Sequence, residues 1–236
     1  MVGEARAGGS PRGFTVALVG PDGSGKSTVA RSLVAELDRS GIAARSLYMG
    51  VNAAESNRLL PTSRLVRRLR RGTPPADPAE APQPRPARRA RPWRAARTLL
   101  RLTNRVAEEW YRQLLAWRAT RRGEVVVFDR HFFADYHASD IVGRRRSLER
   151  RVHGWLLARA YPRPDVTVFL DAPGDVLHAR KGEGTPAWLD RRRQDYLALA
   201  ALVSEFHVVD ATAPVADVTA AIAGLVADRR WGVGDR

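Results

Sequence analysis

The chain has 236 residues, no cysteine and a formal net charge of +15 at pH 7. Its length allows one domain with a substantial core, and the absence of thiols excludes a disulfide framework and any zinc site built on thiolates. The first apolar run, residues 14–19, is too short for a signal peptide or a membrane span, and no later run reaches spanning length, so we expect a cytoplasmic protein.

Short apolar runs alternate with helical patterns from residue 14 onward. Residues 14–19 are rich in β-branched side chains and stop at Gly20, which predicts a buried parallel strand. Residues 27–39 carry apolar side chains at helical spacing and end near Gly41, a typical residue after a helix C-terminus. A second strand is predicted at residues 44–49.

A segment dense in proline follows the second strand. Seven prolines between positions 74 and 92 exclude regular helix or strand, so we predict a flexible insertion at about residues 72–92. Beyond it, apolar residues at steps of three and four predict the core-facing side of a long helix. They are Ala96, Leu99, Leu100, Thr103, Ala107, Trp110, Leu114 and Trp117.

The remaining strands are predicted at residues 125–128, 166–170 and 206–209, and further helices at residues 175–180, 186–201 and 215–226. This alternation predicts an α/β fold, with a five-stranded parallel sheet and helices on both faces. We expect a flexible N-terminus at residues 1–13, one domain at residues 14–228 and a C-terminal tail at residues 229–236.

The segment from Gly20 to Thr28 reads GPDGSGKST and matches the P-loop pattern between a strand and a helix. Its glycines let backbone N–H groups point at phosphate oxygens, and the helix adds its positive N-terminal end. The pattern predicts a P-loop NTPase fold that binds ATP and Mg²⁺, with Lys26 on the β- and γ-phosphates and the Ser27 hydroxyl on Mg²⁺. The residues predicted to bind the nucleotide are Gly20, Asp22, Gly23, Ser24, Gly25, Lys26, Ser27 and Thr28.

Two further segments narrow the class of P-loop protein. Lys181 is the other lysine of the chain, and the Gly-Glu pair that follows it excludes the guanine-reading segment of GTPases. Motor and remodelling ATPases usually place a glutamate directly after the Mg²⁺-associated aspartate, whereas Asp129 is followed by Arg130. Small-molecule kinases remain. A nucleotide hydrolase is disfavoured because no glutamate or glutamine is placed to orient a water molecule.

These motifs resemble those of the thymidylate kinase-like family of nucleoside and nucleotide kinases. The loop with Asp22, the strand ending in Asp129-Arg130 and the segment 164–173, which reads PDVTVFLDAP, carry the resemblance, which extends from about residue 14 to residue 226. It implies that Asp22 lies near the phosphoryl acceptor, that Asp129 lies near Mg²⁺ or the acceptor, and that Arg130 grips a phosphate. It also implies a mobile lid whose cations cover the phosphates. The candidate lid cations are Arg180, Lys181, Arg191, Arg192 and Arg193.

The acceptor-side segments depart from the family pattern. Residues 47–52 lack the carboxylate–arginine pair that thymidylate kinases carry after the second strand, and His131 stands where tyrosine is commoner. The chain therefore resembles uncharacterised bacterial relatives more than the housekeeping enzyme. Asp135 and Asp140 are candidates for the acceptor pocket, and Asp171 is interpreted as the cap of the following helix. The five histidines show no ligand spacing, so no metal site is assigned to them.

The acceptor itself stays open between a nucleoside monophosphate or nucleoside and another metabolite such as a sugar or sugar phosphate. A rival hypothesis is an ATP-sensing module that docks on nucleic acid or an anionic membrane. Its basis is the stretch from Arg58 to Arg112, which holds fifteen arginines and four acids. The arginine-rich composition of the whole chain favours compositional bias over such a contact. A homodimer is compatible with the family resemblance.

Overall fold

The computed structural model describes residues 12–50, 92–137, 141 and 148–232, without the side chains of residues 92–98 and 101. Most of the predicted N-terminal segment, the insertion up to residue 91, Asp140 and residues 233–236 lie outside this range. So does most of the basic stretch that begins at Arg58.

A five-stranded sheet forms the centre of the fold. Its strands are β1 (Thr15–Val19), β2 (Ala44–Tyr48), β3 (Val125–Asp129), β4 (Val166–Asp171) and β5 (Phe206–Asp210). All neighbouring strands pair in parallel, in the order β2-β3-β1-β4-β5. The side chains of β1 and β3 are buried along their whole length, as expected for parallel strands covered on both sides. The predicted α/β class and five-stranded parallel sheet are confirmed.

The helices of the described residues connect these strands. They are α1 (Lys26–Arg39), α2 (Pro92–Thr120), α3 (Phe132–Tyr136), α4 (Leu148–Arg159), α5 (Gly174–Lys181), α6 (Pro186–Leu197) and α7 (Val215–Trp231), with a 3₁₀ helix at Ala198–Leu202. The Thr185 hydroxyl caps α6 by accepting from the Trp188 N–H at 3.3 Å, and Pro186 fits its first turn. The last turn of α7 extends into the predicted C-terminal tail. Within the described range, no helix is long and apolar enough to cross a membrane.

Two apolar layers lie on opposite faces of the sheet, because alternate residues of a strand point to opposite sides. Val16 and Leu18 of β1 belong to the layer that includes α1 and α7. Ala17 and Val19 belong to the other layer, which includes residues of α2, α3, α4 and the 3₁₀ helix. Because all five strands run in the same direction, the loops that follow them lie at one edge of the sheet.

The buried face of α2 is polar, and the prediction for its apolar stripe is wrong. Leu99 and Leu100 are 64% and 70% exposed, and Leu114 and Trp117 are about two-fifths exposed. The buried residues are Glu108, Glu109, Arg112, Gln113, Ala116 and Ala119. This face can turn inward because the small alanines allow close packing and the charged groups find partners. The apolar stripe is left at the surface.

Candidate functional site

The glycine-rich loop, residues 20–25, joins the central strand β1 to the start of α1. The chain continues to β2 and β3 on one side of β1 and to β4 and β5 on the other. In an open parallel sheet, the crevice outside the carboxyl ends of strands at such a reversal is where ligands bind. The loop therefore lies at the position that the topology favours for a site.

Close packing and backbone conformation require glycine within this loop. Gly23 has φ +90°, and a Cβ atom there would lie 2.5 Å from the Leu177 carbonyl oxygen of α5. Gly25, the residue before α1, has φ +86°. The loop is thus tightly curled and packs against α5. It ends at the N-terminus of α1, and free backbone N–H groups at such a position are suited to binding anions.

Lys26 is buried inside the curl of the loop. Its Nζ donates to the carbonyl oxygens of Gly20 at 2.8 Å and Pro21 at 2.7 Å, and to Ser24 Oγ at 3.3 Å. Burial, together with the positive charge of Arg130, lowers the pKa of Lys26 to about 8. The ammonium is therefore poised to gain stability from an anion brought into the loop.

Asp22 connects the loop to two cations from other elements. Arg130 Nη2 donates to Asp22 Oδ1 at 2.6 Å, and Lys181 Nζ at the end of α5 lies 3.5 Å from the same oxygen. Burial alone would raise the pKa of Asp22, but Arg130, then Lys26 and Lys181, bring it below its ordinary value. The carboxylate stays ionised at neutral pH.

The backbone of Arg130 is strained. Its φ of +70° is the one positive φ of a non-glycine residue in the described part of the chain. Such conformations cost roughly 1–3 kcal/mol and cluster at functional sites. The conformation places the guanidinium against Asp22, while its Nε is buried and without a hydrogen-bond partner.

Asp129, the last residue of β3, offers an unpaired oxygen. The residue is 8% exposed, and its Oδ1 has no hydrogen-bond partner. Ser27 is exposed in the first turn of α1. Mg²⁺ uses one or two protein carboxylates or hydroxyls and completes its shell with water and phosphate oxygens. These two residues fit such an ion, and the described residues contain no cluster of three or more carboxylates or imidazoles for a metal held by protein alone.

Gly50, two residues after the end of β2, leaves room for the side chain of Arg130. A Cβ atom at Gly50 would lie 2.5 Å from Arg130 Cδ and 2.5 Å from the Tyr48 hydroxyl. Arg112 of α2 donates from Nη1 to the Gly50 carbonyl at 3.1 Å, and its guanidinium lies over the Phe132 ring. Gly50 therefore contacts both Arg112 of α2 and Arg130, the residue after β3, at the carboxyl edge of the sheet.

The buried polar face of α2 was missed by sequence reasoning. Arg112 Nε and Gln113 Oε1 are buried without partners, and Arg112 Nη2 lies 3.9 Å from Glu108 Oε2. Glu109 contacts His153 of α4 at 3.0 Å. Charged residues four apart on a long helix were the available signal.

Asp135, which the sequence makes a candidate for the acceptor pocket, lies in α3, the short helix after β3. The Tyr196 hydroxyl of α6 donates to Asp135 Oδ1 at 3.3 Å. Burial raises the pKa of Asp135, although Arg130 and Lys26 oppose the shift. Because α3 directly follows β3, Asp135 lies at the carboxyl edge of the sheet, as the loop after β1 does.

The candidate lid cations separate into different environments. Arg180 donates to the Ala211 carbonyl oxygen at 2.8 Å, and Arg192 lies 3.4 Å from Asp195. Arg193 forms a two-point ion pair with Asp171, with Nη2 2.6 Å from Oδ2. Of the predicted lid cations, Lys181 is the one whose contact reaches the loop.

The interpretation of Asp171 as a helix cap is wrong. Its carboxylate binds Arg193, and the first turn of α5 is satisfied instead by Asp190, whose Oδ1 accepts from the Gly174 N–H at 2.9 Å. The ion pair with Arg193 can form because α6 packs across the end of β4. Asp171 therefore anchors α6 to the sheet.

Arg193→Ala is expected to lower thermal stability, because it leaves Asp171 without its two-point partner. The pair is partly exposed, so the loss should be about 1 kcal/mol, or roughly 2–4 °C in Tm for a domain of this size. Arg191→Ala, at an exposed position on the same helix, is the control and should melt like the wild type. Equal melting of all three proteins would contradict the anchoring role.

Comparison with known proteins adds no family assignment. The chain matches no protein-family model, and no curated protein sequence matches it.

Proposed function

We propose that this protein is an ATP-dependent phosphotransferase with a P-loop NTPase fold, similar to thymidylate kinase-like enzymes. The observation that carries the proposal is the meeting of three features at the carboxyl edge of the sheet. A tight glycine-rich loop leads into α1, the Lys26 ammonium lies buried within that loop, and Asp129 next to it keeps a buried oxygen unpaired. Phosphoryl transfer requires positioning and charge stabilisation more than covalent chemistry, and these groups provide both.

Each group has a role in this proposal. The backbone N–H groups of the loop and the N-terminus of α1 bind the ATP phosphates. Lys26 exchanges its carbonyl partners for the β- and γ-phosphate oxygens, and Arg130 and Lys181 balance charge on the transferring group. Mg²⁺ held by Ser27 and Asp129 would neutralise phosphate charge and orient the γ-phosphate.

The polar groups beyond the loop support a small acceptor. Asp22 is ionised and close to the cations that would face the transferring group, so it can accept a hydrogen bond from an acceptor hydroxyl and hold those cations in place. Arg112 adds a buried guanidinium whose Nε is unpaired, a suitable donor to an anionic substituent. These cations favour an acceptor that already bears a phosphate, such as a nucleoside monophosphate. A nucleoside, a sugar or a sugar phosphate remains the alternative.

The test is ADP production by the purified chain with Mg²⁺-ATP and a panel of nucleoside monophosphates, nucleosides, sugars and sugar phosphates. We expect one class to stimulate ADP release and to appear in phosphorylated form. Asp129→Asn should reduce this turnover at least about a hundredfold, because the uncharged amide cannot replace the carboxylate near Mg²⁺. Asp228→Asn, which changes an exposed carboxylate on α7, is the matched control. Equal turnover of Asp129→Asn and wild type would contradict the assignment.

A further inference from the structure

Two helices on one face of the sheet expose apolar side chains to solvent. Helices α2 and α4 lie side by side, joined by the Arg105–Glu149 pair at 3.6 Å and the Glu109–His153 contact at 3.0 Å. Away from these contacts, both helices expose large apolar side chains to solvent, although the Trp117 ring also meets the Trp110 ring edge-on at 5.9 Å between centroids. We call this set the outer face, and it consists of Leu99, Leu100, Leu114 and Trp117 of α2 and Leu148, Val152 and Trp155 of α4.

The α4 part of the outer face is a stripe with its own shallow depression. Leu148, Arg151, Val152 and Trp155, at helical spacing, line a hollow of about 290 Å³. Trp155 is 59% exposed and Leu148 is 74% exposed. Singly scattered apolar residues need no explanation, but a continuous group of this kind marks an interaction surface.

Unpaired cations border the apolar residues. Arg118 and Arg121 follow Trp117 on α2 and the turn after it, and Arg151 and Arg159 flank the stripe on α4. None of these four forms an ion pair in the described part of the chain. The acid on this part of α4, Glu149, is engaged by Arg105. The outer face is therefore both apolar and positively charged, in a chain with a net charge of +15.

We propose that the outer face binds the surface of an anionic phospholipid bilayer. Helices with Leu and Trp on one side and Arg at its borders lie in the membrane interface, where the apolar side chains enter the acyl boundary and the guanidinium groups meet lipid phosphates. The long arginine stems can bury their methylene groups while the charged ends stay with the headgroups.

The charge and the apolar side chains of the outer face favour an anionic bilayer over two other binding partners, a second copy of the chain and nucleic acid. A second copy of the chain would bring the same arginine-bordered face against itself, since the two halves of a two-fold interface are identical, and like charges would oppose association. Nucleic acid would satisfy the arginines and could stack on tryptophan, but it offers no extended apolar surface to Leu148 and Val152. An anionic bilayer complements both the charge and the apolar side chains.

The first experiment is co-sedimentation of the full chain with vesicles of phosphatidylglycerol and phosphatidylcholine in equal parts, and with phosphatidylcholine alone. We expect binding to the anionic vesicles that weakens as salt is raised. The double variant Leu148→Ser/Trp155→Ser should lower the partition coefficient at least about tenfold, since two apolar side chains that would enter the bilayer are lost. Trp231→Ser, at an exposed tryptophan on α7, is the matched control and should bind like the wild type.

The second experiment separates insertion of the outer face from general attraction of a basic protein to anionic vesicles. Brominated acyl chains should quench part of the tryptophan fluorescence of the bound chain, and Trp155→Phe should remove a share of that quenching while Trp231→Phe does not. Thermal melting confirms that each variant is folded.

Three results would overturn the proposal. The first is wild-type binding by the folded double variant. The second is quenching that does not depend on Trp155. The third is that substitutions in the outer face abolish dimer formation or oligonucleotide binding and leave vesicle binding unchanged. Because these readouts involve no phosphoryl transfer, they stand apart from the test of the proposed function.

Discussion

Lys26→Met is expected to abolish phosphoryl transfer and to raise the thermal stability of the free protein at pH 7. Transfer is lost because no other cation among the described residues donates to the loop carbonyls, where the γ-phosphate is proposed to bind, and we expect at least about a hundredfold reduction. Stability rises because the buried ammonium is disfavoured by desolvation and by Arg130, as its lowered pKa of about 8 shows. The gain should be about 1–3 kcal/mol after the lost hydrogen bonds are subtracted.

The pH dependence gives this prediction a second signature. The folded chain releases the Lys26 proton near pH 8, whereas the unfolded chain holds it until about pH 10.5, the ordinary value. Between these values the unfolded state binds more protons, so the contribution of Lys26 to stability rises with pH. Lys26→Met lacks that rise, and its advantage over the wild type should shrink from pH 8 to pH 10.

The measurement is the free energy of unfolding by denaturant at a series of pH values, beside the assay for ADP production. Lys181→Met is the control for the unfolding series alone, because this second lysine is partly exposed and should not produce the pH-dependent difference in the free energy of unfolding. A Lys26→Met protein that retains turnover would contradict the proposed function. One that is less stable than the wild type at pH 7 would contradict the account of the buried charge.

His131→Phe is expected to stabilise the protein, most strongly in mild acid. Both ring nitrogens of His131 are buried without hydrogen-bond partners, and its ring packs 5.4 Å from Phe128 and 5.9 Å from Tyr161 between centroids. Burial, aided by the charge of Arg163, lowers the pKa of His131 to about 3. Phenylalanine keeps the aromatic packing and removes the unsatisfied polar atoms.

The direction of the pH effect follows from that lowered pKa. Below pH 6.5 the unfolded chain binds a proton at this imidazole that the folded chain does not accept, so folding stability falls as the pH falls. The loss attributable to His131 is about 2–3 kcal/mol between pH 6.5 and pH 4.5. His131→Phe should therefore have a flatter stability profile over this range.

Urea unfolding from pH 7 to pH 4.5 measures this difference. His178→Phe, at an exposed position on α5, is the control and should keep the wild-type slope. If His131→Phe lost stability with the same slope as the wild type, the imidazole would have to be accepting its proton in the folded protein.

The candidate site could be predicted where its residues are close together in the chain. The loop from Gly20 to Thr28 needs only local spacing, and Asp129 and Arg130 follow an apolar run that could be identified as a strand. The contact between Arg130 and Asp22 joins residues 108 positions apart, so no local pattern reveals it. The same holds for the pairing of Arg193 with Asp171, which replaced the predicted helix cap.

The alternation of apolar runs and helical periods determined the α/β class, the five strands and the position of the glycine-rich loop. Only the tertiary structure decided the strand order, which places β1 at the centre, and the side of α2 that turns inward. Periodicity shows that a helix has an apolar side, but burial also depends on the partners within reach. Glu109 and Arg112 are buried because His153 and the Gly50 carbonyl, contributed by other elements, meet their charges.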